Sequence, residues 1–560
     1  MSGGGVWGTG FIAGYWQANK GRIVSLLGRF LLVSRCSSFR SLLQIVSPNM
    51  ARGKTEEIPV SKAAVLAVWM FLKSHPFLIL FVLLFVRPLY KRYSSPLRQY
   101  PGPFIASCTR LWKVWSTWTG KTEQHHIALH KKYGPVVRIA PDEVSFASPA
   151  AAQTIFQVGK GFHKTDFYGV FPPPENPDIF TEKREAVHGI KKRYAATPYS
   201  LTTMQQSTSR IEDTERLLIR KIDAFADGRK ECDLGEWLHF FAFDVLGEVA
   251  FSANFGFLEA GVDVDHAIKT IDQSQTYNGI VGQVPHLDHL LRRNPLWHYV
   301  PFLATKNALV TRTALAQLAK RRDPNNKSEY KDLLNSLIEA HNANPDKLGD
   351  GDVFAIAHGA IFAGSDSTAS TMQSFCWNIL NNRAVYDKLT REILAAPLSE
   401  MVAFNEAQNL PYFQACLKEA MRLQPAVGLN ITRKVPPGGA EIDGHRLPGG
   451  VAVAVNGWVL HRDKATFGDD ADVYRPDRWL EADKEKLKNM ERNMFQFGGG
   501  SHVCIGRHLA TLEMNKVLPQ LLRRYDIELV NPGKELEHHS SFFVVQWGLK
   551  VYLRVRDGQS

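Results

Sequence analysis

The sequence predicts a mainly α-helical fold with small β-sheets, on three observations. Four long stretches (208–227, 235–253, 352–381 and 406–423) repeat apolar residues at the spacing of one helix face. The strand-like pieces are short: 136–140 and 143–146 read as a hairpin, and the β-branched alternation of 450–456 reads as a buried strand. No Pro/Gly/Ser-rich linker divides the chain after about residue 104, so these elements belong to one body.

From the N-terminus, the elements have the following reasons. Residues 1–49 contain five Lys/Arg, no Asp or Glu and many Ser, the composition of an organelle transit peptide. The alternative, favoured here, is a start at Met50 with an upstream extension; either way, 1–62 is read as a leader. From Ala63 to Val86 the chain is apolar over a length that can span a bilayer, which takes about 20 residues. Lys73, His75 and Pro76 interrupt this stretch, which leaves a shorter interfacial segment as the other reading. Arg87, Lys91, Arg92 and Arg98 follow, a basic flank that keeps the downstream body cytosolic. Residues 63–100 are therefore a single-pass anchor with its flank. Pro101, Gly102 and Pro103 form a stiff breaker before the body, 101–560. Residues 505–524 close the fold as a final long helix.

Charge and cysteine usage exclude several classes. The net charge is +12, but residues 1–100 hold 13 Lys/Arg against 2 Asp/Glu, a net +11 that leaves about +1 for the rest. A neutral body with a basic leader fits membrane targeting and not nucleic-acid binding. Six scattered cysteines with no C-x-x-C pair exclude a disulfide scaffold and zinc-type spacing.

The most specific signal is residues 497–506, FGGGSHVCIG. Three glycines permit a tight loop whose backbone approaches a flat ligand closely. Cys504 stands just before a helix, where backbone N–H groups and the helix N-terminal partial charge stabilise a thiolate. A Gly-rich turn beside an ordinary buried cysteine is the plainer alternative for such a loop alone. Residues 352–381 contain Ala363, Gly364, Ser365, Asp366, Ser367 and Thr368 inside an apolar helix. Small residues there let a ligand approach the backbone, and an acid followed by hydroxyls can widen the helix and relay protons. Glu419 and Arg422 share a helix face at i, i+3, and residues 474–479 read YRPDRW.

These motifs, in this order, resemble the cytochrome P-450 family over residues 100–555. Phe497, Gly500, Cys504 and Gly506 match its signature F-x-x-G-x-x-x-C-x-G, with His502 where the family usually has Arg. Residues 363–368 are similar to A/G-G-x-D/E-T-T, with Ser367 in the usual Thr position. Glu419 and Arg422 match E-x-x-R, and Pro476 to Trp479 resemble P-E-R-F. The resemblance implies the cytochrome P-450 fold with haem b, Cys504 as axial ligand and Phe497 and Gly498 beside the cofactor. It implies Asp366, Ser367 and Thr368 as catalytic groups, and a structural triad of Glu419, Arg422 and Arg478. Propionate contacts would come from Arg433 and His502, and from His188 and Lys192, which stand in for the family's W-x-x-x-R.

By the same resemblance, electrons come from an NADPH-cytochrome reductase, with cytochrome b5 as a further donor, at the endoplasmic reticulum membrane with the body cytosolic. Residues 161–168 (GFHKTDFY) and the 475–479 segment are similar to fungal enzymes of the pisatin-demethylase-like group. That likeness implies secondary metabolism and a hydrophobic terpenoid, polyketide or aromatic substrate. Pocket walls are expected around 165–180, 275–300 and 535–547. A haem-thiolate isomerase or dehydratase, or a non-catalytic haem-binding protein, are the alternatives.

Overall fold

The structure is a computed structural model and describes residues 74–171, 176–294, 309–323 and 332–557. The leader and the first part of the anchor, residues 1–73, lie outside these, as do residues 295–300 of one expected pocket wall. The chain divides into two units, Met1–Leu83 and Leu84–Ser560. In the first, helix Pro76–Phe81 leaves Phe77, Leu78, Leu80 and Phe81 exposed. Among the described residues no helix is long and apolar enough to cross a membrane.

The second unit is mainly helical, as its apolar periodicity predicts. Helices α1 (Glu185–Ala196), α2 (Thr208–Ala226), α3 (Leu234–Phe251), α4 (Ala267–Val281), α5 (Asp350–Leu380), α6 (Pro411–Leu423) and α7 (Arg507–Arg524) frame the site. The 31-residue α5 runs through the main apolar core and packs along α3. Its start is fixed by Asp352, whose carboxylate accepts the Gly349 N–H at 2.9 Å. In α3, Asp233 does the same for Glu236 N–H at 3.1 Å.

The helix expected over 406–423 is two. Pro411 lacks the N–H that a helix interior requires and clashes with the carbonyl four residues back. The chain therefore makes a short helix, Phe404–Gln408, and restarts α6 with Pro411 in its first turn.

Strands β1 (Val136–Ala140), β2 (Glu143–Phe146), β3 (His163–Lys164), β4 (Ile431–Lys434) and β5 (Ala452–Val455) form one sheet, ordered β1-β2-β5-β4-β3. β2 and β5 pair in parallel and the other neighbours antiparallel. The β3–β4 register sets Lys164 opposite Arg433. A second hairpin, β6 (Glu537–Ser540) with β7 (Val544–Trp547), carries Phe542 and Phe543 in its turn.

Candidate active site

The cysteine loop is built on glycine. Gly498 and Gly500 adopt φ of +72° and +59°, and a Cβ on Gly500 would lie 1.7 Å from the Phe156 carbonyl oxygen. No other residue fits both the backbone and the space. The turn closes where Gly498 N–H donates to the Phe495 carbonyl at 2.9 Å and Cys504 N–H to that of Phe497 at 2.8 Å. Gly506 caps α7, and the N–H groups of Gly506 and Arg507 bond the Cys504 sulfur. Desolvation pushes the Cys504 thiol up, and these amides, with Lys192 and Arg507, offset only part of that rise. Cys504 is nonetheless exposed by surface area. A residue both enclosed by protein and reachable lines an internal cleft.

At the edge of the loop stands a cluster of basic groups. Arg433 is buried between the rings of Phe156 and Tyr168, at 4.8 and 5.6 Å, and donates to the Tyr168 hydroxyl at 3.1 Å. Its Nε is buried with no hydrogen-bond partner among the described residues. His188 and His502 stack with ring centroids 4.3 Å apart, and His502 Nε2 lies 3.0 Å from Glu185. Burial, then Lys164 and His502, lowers the His188 pKa to about 3; burial also lowers that of His502. Desolvation and Arg433 bring Lys164 down to about 7. These bases suppress one another's charge, and a nearby anion would relieve that.

Lys192 departs from expectation. Its ammonium donates to the carbonyls of Ser501 and Val503, both at 2.7 Å, so it clamps the cysteine loop while its charge still reaches His188.

Behind the loop, Glu419, Arg422 and Arg478 are all buried and joined. Arg422 meets both carboxylate oxygens of Glu419 at 2.8 and 2.9 Å, and Arg478 Nε meets one at 2.9 Å. The Trp479 indole N–H donates to Glu419 at 2.9 Å as well, which gives the departure from P-E-R-F a bond of its own. His461 ties this cluster to the loop: Nδ1 lies 2.8 Å from the Arg422 carbonyl, and Nε2 accepts the Phe495 N–H at 2.7 Å. Burial holds His461 neutral, with a pKa of about 3, as those two roles demand.

On α5, Ala363 is exposed in the middle of a core helix, and Ser367 lies one turn on along the same open face. The expected widening is absent here; the helix is continuous, and Ser367 donates back to the Ala363 carbonyl at 2.7 Å. Asp366 is buried, with one carboxylate oxygen 2.8 Å from His239 Nε2 on α3 and the other taking the Gln275 amide of α4 at 2.5 Å. Thr368 is buried about 140° round the helix from Ala363, so it packs into the core and does not face the cleft.

A cavity of about 650 Å³, counting its open mouth, reaches Ala363. All three expected walls contribute: Phe171, Asp178 and Phe180; Gln275 and Asn278; Phe542 and Phe543. The fourth wall, His358 to Ala363 of α5, was not foreseen. Nor were Lys164, His239 and His461 as site residues, or the bond of Gln275 to Asp366. Lys164 and Tyr168 fall in a segment that the sequence offers only as a likeness. His239 and Gln275 carry no spacing signal, since their partner is more than 90 residues away.

A cysteine with amides on its sulfur, a cluster of bases and a helix with an open small-residue face are the features of this site. The family profile described as cytochrome P-450 matches residues 101–550, and the chain belongs to that family. It is 35% identical over 494 residues to the cytochrome P-450 monooxygenase cicH of Emericella nidulans, covering 86% of this chain and 98% of that protein. It is also 33% identical over 495 residues to the monooxygenase gsfF of Penicillium aethiopicum, covering 84% and 95%. Pisatin demethylase of Fusarium vanettenii is 31% identical over 473 residues, covering 84% and 92%. The chain is thus a cytochrome P-450 monooxygenase, and its family implies a haem held by a cysteine thiolate, a reductase partner and a small-molecule substrate. The residues fit the group: Cys504 is exposed by surface area, Arg433 Nε lacks a partner among the described residues, and the bases around it would suit propionates.

Proposed function

We propose that the protein oxidises a hydrophobic small molecule of secondary metabolism at the α5 end of the Phe-lined cavity. The single observation that carries this is that the cavity reaches Ala363, one turn from the Ser367 hydroxyl on the same open face. Bound haem b would supply the oxygen activation, chemistry that a cysteine thiolate ligand suits. Cys504 would be the ligand, and Arg433, His188 and His502 would receive the propionates. Phe497 and Gly498 would shape the loop beside the cofactor, and Lys192 would hold that loop closed.

Asp366 and Ser367 would deliver protons to the cleft. His239 Nε2, in hydrogen-bond contact with Asp366, would reload the carboxylate, and Gln275 would fix its other oxygen. Glu419, Arg422 and Arg478 would hold the loop's foundation and take no part in chemistry.

Electrons would come from an NADPH-cytochrome reductase, with cytochrome b5 as a second donor. The body would sit at the cytosolic face of the endoplasmic reticulum membrane. Exposed Phe104, Ile105, Leu111, Trp115 and Trp118 support a membrane-facing surface.

The test compares metabolites of the source organism with and without the gene. Loss of a product one oxygen heavier than an accumulating precursor is expected. Loss of a product of equal mass would overturn the oxidation in favour of an isomerisation.

A further inference from the structure

We infer that the substrate is an aromatic molecule carrying a hydrogen-bond donor and no carboxylate, recognised through its donor by Asp178. This rests on the monooxygenase reading above and deepens it. The first observation is what the cavity wall lacks. Among the described lining residues no aliphatic side chain is larger than that of Ala363. The apolar wall is phenylalanine: Phe171, Phe180, Phe362, Phe542 and Phe543. Four contacts in it are edge-to-face, with ring centroids at 5.2 Å for Phe171–Phe180, 5.7 Å for Phe171–Phe542, 5.0 Å for Phe180–Phe542 and 5.2 Å for Phe542–Phe543. Such a wall presents ring faces and edges to a guest. A flat π-system continues that array, while a saturated skeleton gains contact area alone.

The second observation is the charge of the wall. Asp178 is its one ionisable acid among the described lining residues. Both Thr181 bonds go to Oδ1, each at 2.7 Å, and Oδ2 lies against Gly359, where a Cβ would come within 2.3 Å of it. Desolvation raises the Asp178 pKa, so the carboxylate is short of solvation that a ligand donor can replace. His358, the wall's one ionisable base, is held neutral: burial lowers its pKa to about 4, and Nε2 is 3.0 Å from the Thr311 hydroxyl. An anionic guest would face a carboxylate with no cation among the described lining residues to offset it. A phenol or a protonated arylalkylamine meets that carboxylate with a donor.

The test is a spectral binding titration of the full-length holoenzyme in microsomal membranes, with small probes. These are 2-naphthol, 2-naphthylmethylamine, 2-methoxynaphthalene, 2-naphthoate and 2-decalol. One donor-bearing naphthalene, the naphthol or the amine, should bind at least about tenfold more tightly than the ether, the naphthoate and the saturated alcohol. Which of the two does so tells phenol from amine. Asp178→Asn keeps an Oδ1 for Thr181 and should bring the ether and naphthoate within about threefold of that probe. Equal affinities across the set, or a donor preference that survives Asp178→Asn, would overturn the inference. A ferrous carbon-monoxide spectrum taken on each protein keeps the two readings apart. Loss of the red-shifted thiolate band in the wild type would sink the enzyme reading, and its presence with unselective binding would sink only this one.

Discussion

On this reading Ser367 and the His239–Asp366 pair both supply protons, and they are separable by substitution. Ser367→Ala removes the hydroxyl on the open face of α5; hydrogen peroxide released per NADPH should rise severalfold, and product formation should fall by up to ~10²-fold. His239→Gln keeps a donor toward Asp366 but cannot shuttle a proton. It should raise peroxide in the same way, with an unchanged carbon-monoxide spectrum. Unchanged peroxide yield in both variants would refute the relay. The contrast between these residues also marks what a sequence can reveal. Ser367 and Asp366 were legible because they sit within one helix, at positions whose chemistry depends on local spacing. His239, Gln275 and Lys164 meet Asp366 and Arg433 only when α3, α4 and β3 are brought against α5 and β4, and nothing near them in the chain records that.

Among the elements, the long helices were legible because periodicity is a local property, and the break at Pro411 was missed because apolar spacing runs through it. Packing between helices leaves marks of a different kind. Glu215 of α2 is wholly buried and neither carboxylate oxygen has a hydrogen-bond partner among the described residues. Burial pushes its pKa up to about 8 from an ordinary 4.5. Between those values the unfolded chain releases a proton that the folded chain keeps. The stability this group contributes is therefore full below pH 4.5 and is lost as pH rises through about 8. Glu215→Gln should match the wild type near pH 4 and exceed it by about 2–4 °C in Tm at pH 8, read by thermal unfolding. A gain independent of pH would show that Glu215 is ionised in the fold.

For the molecule as a whole, the surface around Phe104, Leu111, Trp115 and Trp118 makes a prediction that does not depend on the anchor. A chain lacking residues 1–94 should leave the alkali-resistant membrane fraction yet still sediment with vesicles at neutral pH. A fully soluble truncated protein would assign all membrane affinity to the deleted segment. The cysteine loop and the arginine cluster behind it were legible as separate motifs; that His461 joins them was not. That joint has a consequence for how damage spreads. Glu419→Gln leaves two buried guanidinium groups without their shared carboxylate, a loss of roughly 3–5 kcal/mol. Arg422 also donates to the His461 carbonyl at 2.7 Å, and the His461 ring holds Phe495 at the root of the loop. The disturbance therefore travels first toward the cysteine. The variant should turn pale before it melts, with haem absorbance fading at temperatures where the helical circular dichroism is still intact.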